Sequence, residues 1–143
     1  MEDGFQLVRF KPIGTVVVVE DAEAGRMPLA HLSQRGSWFE AYRHGLSLYL
    51  SEPCAEVIVA VTMWRRKRWE YLERHVYKGY EAIVVELKSD ILRVGNPGKQ
   101  SEAQRIEVGA GKFEVLVVRN RPMDRVGPFE ITMWPHQTRP APE

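Results

Sequence analysis

The sharpest chemical signal in this 143-residue chain is the run Trp64-Arg-Arg-Lys-Arg-Trp69, which sets four cations between two indoles. Basic and aromatic side chains continue at Tyr71, Arg74, His75, Tyr77, Lys78 and Tyr80. Cations attract phosphates and carboxylates, and aromatic faces stack on bases, so the mixture suits single-stranded nucleic acid or an anionic protein surface. Trp, Tyr and Arg are also the residues that dominate interface energies. Against this stands a plainer reading, a solvated connection whose tryptophans turn into the core. The residues that carry the binding expectation are Trp64, Arg65, Arg66, Arg68 and Trp69. A second candidate surface of opposite sign is Glu20-Asp-Ala-Glu23, where Asp21 and Glu23 could imitate phosphate to a basic partner. As solvated loop charges they would need no such role.

Other chemistries find little support. The four histidines, His31, His44, His75 and His136, show no metal-ligand spacing, and no Cys-x-x-Cys accompanies them. Neither a metal nor a cofactor is expected. Gly109-Ala-Gly111-Lys112 lacks the upstream glycine and following Ser/Thr of a phosphate loop, and it joins two strand-like runs. No Gly-x-Ser-x-Gly elbow is present, and no pair of carboxylates stands out as a general acid and base. Cys54 is the single cysteine, which rules out an internal disulfide framework and reads as a small hydrophobe. The expectation is a non-enzyme.

Composition bounds the setting. With 44% hydrophobic and 27% charged residues, the chain has the makeup of one globular domain. Net charge is +1, but residues 61–80 hold six basic and two acidic side chains, a local patch on an otherwise balanced chain. The acidic start Met1-Glu2-Asp3 is not that of a signal peptide. The apolar run Val57 to Trp64 is far short of the ~20 residues that span a bilayer. A cytoplasmic protein with no membrane partner is expected.

The elements that must position these residues read as about nine short strands. They are Phe5–Phe10, Gly14–Glu20, Gly45–Leu50, Glu56–Trp64, Tyr80–Leu87, Ile91–Val94, Gln104–Val108, Lys112–Val118 and Phe129–Trp134. Glu56–Trp64 is apolar on both faces and should be central. Leu29–Arg35 suggests a helical turn. Trp69, Leu72 and Val76 with Gly79 suggest a short helix, or else a polar excursion, near residues 66–78. Lys88-Ser-Asp90 predicts a hairpin turn, and Gly109-Ala-Gly111 a three-residue hairpin loop whose glycines take φ > 0. Helical crossovers are missing, so an antiparallel β-sandwich over residues 1–134 is predicted, followed by a loose Pro-rich tail at 135–143.

Three stretches carry a family resemblance. They are Gln34-Arg-Gly36 with Gly45-Leu-Ser-Leu-Tyr-Leu50 and Ala55-Glu-Val-Ile-Val-Ala-Val61; Ala82-Ile-Val-Val-Glu-Leu87 with Ile91-Leu-Arg-Val94; and Arg105-Ile-Glu-Val-Gly-Ala-Gly111-Lys-Phe-Glu-Val115. Over about residues 29–120 this pattern of strands and turns resembles the competence protein J-type nuclease inhibitors, whose relatives include bacterial immunity proteins. The resemblance implies a β-sandwich that binds and blocks a nuclease or toxin. Two alternatives stay open: a nucleic-acid-binding domain using residues 64–80, and a small-ligand-binding or enzymatic sandwich whose site forms only in three dimensions.

Overall fold

The computed structural model describes residues 3–23, 38–50, 55–68, 70, 83–98, 103–119 and 129–136. Ten strands run through them: β1 (Gly4–Phe10), β2 (Val16–Asp21), β3 (Phe39–Tyr42), β4 (Gly45–Tyr49), β5 (Val57–Met63), β6 (Ile83–Leu87), β7 (Ile91–Gly95), β8 (Gln104–Glu107), β9 (Gly111–Arg119) and β10 (Phe129–Pro135). They form two five-stranded sheets, ordered β1-β5-β10-β9-β6 and β3-β4-β2-β7-β8. All pairings are antiparallel except β5 with β10.

Period-two alternation sets the layers. In the first sheet Val57, Val59, Val61 and Met63 of β5 point the same way as Phe129, Ile131 and Met133 of β10 and Phe113 and Val115 of β9. In the second, Val17 and Val19 of β2 meet Leu46 and Leu48 of β4, and Leu92 and Val94 of β7. All are buried in one shared cluster, so the sheets pack face to face as a sandwich. The predicted class therefore stands. β5 lies inside its sheet, as its apolar character implies, though on the outward face Ile58 and Thr62 are only half-buried.

Two predicted hairpins are something else. β6 and β7 belong to different sheets, and so do β8 and β9. Lys88–Asp90 and Val108–Ala110 are corners where the chain leaves one sheet for the other. The actual hairpin is long and bent: β6 pairs with β9, and β7 pairs with β8. The corners lie against each other, since the N–H groups of Val108 and Gly109 both donate to Asp90 O, at 2.8 and 3.1 Å. Gly109 (φ 90°) and Gly111 (φ 129°) take the left-handed backbone the glycines were expected to supply, at a corner instead of a hairpin tip.

The tenth strand, β3, was not anticipated. It pairs with β4 across Arg43-His44. At the other end of the chain Pro135 closes β10, and the His136 N–H donates to Lys112 O at 2.8 Å. The helical turn at 29–35, Cys54, and the helix or excursion over 66–78, apart from residues 66–68 and 70, lie outside the described residues, as do tail residues 137–143.

Candidate partner-binding surface

The basic segment starts where β5 ends. The Trp64 N–H donates to Met133 O at 2.8 Å, carrying the β5–β10 pairing one step past the strand. This fixes the indole against the outer face of the first sheet. Trp64 is 5% exposed and stacks on Trp134, with ring centroids 5.4 Å apart and planes at 20°. Leu116 and the half-buried Val118 complete this satellite cluster. Trp134 is fully buried and its Nε1–H donates to Glu114 Oε2 at 2.6 Å.

From this anchor the four cations divide. Lys67 turns inward: its Nζ stands 3.9 Å from Glu114 Oε1 and 5.8 Å from the Trp134 ring centre. Arg65, Arg66 and Arg68 are exposed and line an open cleft with Asp3. One Asp3 oxygen accepts the Arg65 backbone N–H at 2.7 Å; the other accepts from the Arg68 guanidinium at 2.7 Å. The Arg65 N–H, then the charge of Arg68, hold the Asp3 carboxyl below the usual carboxylate range. The Arg68 guanidinium also lies 5.2 Å from the Trp64 ring centre, within cation–π reach. Trp64 is thus a platform beneath the cleft, with its own surface almost entirely covered.

β1 supplies the apolar neighbour of the cleft. It runs antiparallel to β5 with Gly4 opposite Met63, which puts Phe5, Leu7 and Arg9 on the outward face. Phe5 is 63% and Leu7 41% exposed. Phe5, opposite Thr62, lies at the cleft end of the first sheet, and Leu7, opposite Ala60, stands at mid-strand.

The acidic candidate is placed differently. Asp21 is 2% exposed. Its carboxylate accepts from the backbone N–H groups of Glu23 (3.1 Å), Lys88 (2.5 Å) and Ser89 (3.2 Å), and from the Ser89 hydroxyl. Burial pushes the Asp21 carboxyl up, but these hydrogen bonds outweigh it and hold the group below its ordinary value. Asp21 therefore pins the β6–β7 corner from within, and burial removes it from any docking surface. Glu20 is buried against Arg93, leaving Glu23 as the exposed acid of this stretch. Trp69 lies outside the described residues.

Sequence reasoning missed Asp3, Phe5 and Leu7. Asp3 sits 62 positions before Arg65, and nothing local joins them. The alternation of Phe5, Leu7 and Arg9 was legible, but which face of an edge strand meets solvent was not. Among the described residues no group of three His, Cys, Asp or Glu could hold a metal ion, and no helix is long and apolar enough to cross a membrane.

The fold and surface define a two-sheet β-sandwich with a cationic cleft at one end of one sheet. Two solved structures share that fold. Crocagin biosynthetic gene J superposes with a TM-score of 0.63 at 15% identity, over 96% of this chain and all of that one. ComJ from Bacillus subtilis, inhibitor of the DNA-degrading activity of NucA, superposes with a TM-score of 0.63 at 6% identity, over 95% of this chain and all of that one. The resemblance read from the strand pattern therefore holds at the level of the fold. No family model matches the sequence, and no curated protein matches it.

Proposed function

We propose that this chain is a protein-binding domain that works by covering a partner's surface, the partner being a nuclease or toxin whose activity it blocks. The observation that carries this reading is the exposed arginine cleft at the end of the first sheet, with the exposed Phe5 and Leu7 following along β1: guanidiniums and an aromatic ring are the groups that anchor interfaces. The ComJ fold supports it, because an inhibitor of a DNA-degrading activity is built on the same sandwich. A nucleic-acid reading would use the same arginines, but Trp64 is buried against Trp134 and offers no free face to a base.

The test is affinity capture from the native host's lysate, with and without nuclease digestion, followed by assay of the captured protein. The expected outcome is one stoichiometric protein that survives digestion and loses its activity when this chain is added in excess. Arg66→Ala with Arg68→Ala should weaken that inhibition at least tenfold, because central interface arginines typically contribute ~2 kcal/mol or more. Capture lost on digestion would turn the reading toward nucleic acid.

A further inference from the structure

The cleft already holds a carboxylate, and the manner of holding suggests what it is for. Asp3 accepts from a backbone N–H through one oxygen and from a guanidinium through the other, both at 2.7 Å, within the range of charge-assisted hydrogen bonds. These donors form a two-point carboxylate receptor, backed by the Trp64 ring under Arg68. Yet the arrangement is lightly held. The side chains of Asp3 and Arg68 are 55% and 49% exposed, and an exposed pair of this kind contributes little to stability. Asp3 also precedes β1, so it can leave without disturbing the strand pairing that begins at Gly4. Arg66 is exposed and has no acidic partner among the described residues. Among the described residues that line the cleft, one carboxylate therefore stands with three guanidiniums, an excess of positive charge.

We propose that the cleft of Arg65, Arg66 and Arg68 receives an acidic side chain of the partner protein, and that Asp3 is its internal stand-in, filling the place in the free chain and leaving it on docking. This rests on the reading of the chain as a protein-binding domain. A peptide carboxylate fits better than a phosphate chain because β1 leads from Asp3 to the exposed Phe5 and on to Leu7, an apolar strip that aliphatic residues following the acid can cover. Asp3 keeps the cleft from binding anions indiscriminately, and its departure adds a competition step to partner affinity.

The probe is a short fluorescein-labelled peptide alternating glutamate and leucine, titrated by anisotropy at low salt, with labelled oligothymidylate as the rival probe. The peptide is expected to bind and to shift the Arg65 amide resonance. Asp3→Asn should tighten its binding ~2–5-fold, the worth of one exposed ion pair. Arg68→Gln should weaken it, and a peptide with glutamine for glutamate should not bind. Unchanged or weaker peptide binding by Asp3→Asn, with the fold intact by circular dichroism, would overturn the proposal by making Asp3 an anchor. Preference for oligothymidylate would overturn it in favour of nucleic acid. The titration needs no natural partner, so capture of an inhibited protein alongside a failed titration would sink this proposal alone, whereas failure of both would sink the protein-binding reading too.

Discussion

Glu20 and Arg93 form an ion pair almost sealed from water, on the outward face of the second sheet. Their side chains are 9% and 2% exposed and meet at 2.7 Å. The Tyr42 hydroxyl donates to the second Glu20 oxygen at 2.6 Å, and a second Arg93 nitrogen donates to Asn96 O at 2.6 Å. Gly45 makes room for this. It lies between Tyr42 and Glu20 in the strand register, and a Cβ there would come within 2.5 Å of the Glu20 Cβ. The pair is a constraint more than a source of stability, since taking two charges from water offsets much of their attraction. Removing one partner is another matter: Glu20→Gln should lower the unfolding free energy by about 3 kcal/mol, by stranding the Arg93 charge. Adding Arg93→Met should recover a large part of that loss. Urea unfolding of the two variants tests it, and equal losses in both would show that the pair is not coupled. None of this was legible in the sequence, where Glu20 read as the start of a solvated acidic loop. The partner that makes it buried is 73 positions away. The arginines of the cleft were legible because they are contiguous; Asp3 was not, for the same reason as Arg93.

Strands are local and their pairing is not, and that divides what the sequence reveals of the elements. Nine of the ten strands announce themselves by β-branched and alternating residues. β3 escapes because its four residues, Phe39-Glu-Ala-Tyr42, include no β-branched side chain, whereas the equally short β8 carries Ile106 and runs on to Val108. The corners deceive for a sharper reason. A strand, a three-residue break and a strand fit a hairpin or a change of sheet equally well, and in both cases Leu87 and Leu92 end up in the core. What selects the corner is contact with residues far along the chain: β9 for β6, β8 for β7, and Asp21 for the turn itself. The Asp21 carboxylate supplies acceptors to the N–H groups of Lys88 and Ser89, which have no ladder partner at the bend. Asp21→Asn keeps the shape but loses the charge and one acceptor. It should destabilise the fold by about 2 kcal/mol, the scale of a buried hydrogen bond to a charged group, and raise amide exchange first at Lys88 and Ser89. Uniform loss of protection instead would mean that the corner has no independent stability.

At the scale of the whole molecule, the two sheets share one core and meet again at a seam, where the β3–β4 turn reaches the edge of β6. The Glu86 N–H donates to Arg43 O at 2.8 Å, and His44 Nδ1 donates to Glu86 O at 2.8 Å. The sandwich is closed there, so the stability of the described strands should respond to pH as a unit, with limits set by groups whose protonation changes on folding. On the acid side one such group is Asp21. Its folded pKa lies below the ordinary 3.8, so its contribution is complete above 3.8 and is lost as pH falls through the lowered value. On the alkaline side it is Tyr49, whose phenol burial and the neighbouring Glu40 carboxylate push up to about 12. The hydroxyl donates to Glu40 Oε2 at 2.6 Å, which favours the protonated form. The folded chain therefore holds this proton more tightly than the unfolded chain, whose phenol titrates near 10.0. Stability from Tyr49 is complete below that value and declines as pH rises from 10 toward 12. Urea midpoints measured across both windows should fall at each end, and each limb has its own control. Tyr49→Phe should flatten the alkaline limb and leave the acid limb alone, while Asp21→Asn should do the reverse. An alkaline limb that survives Tyr49→Phe unchanged would mean that the Tyr49–Glu40 bond does not hold in solution.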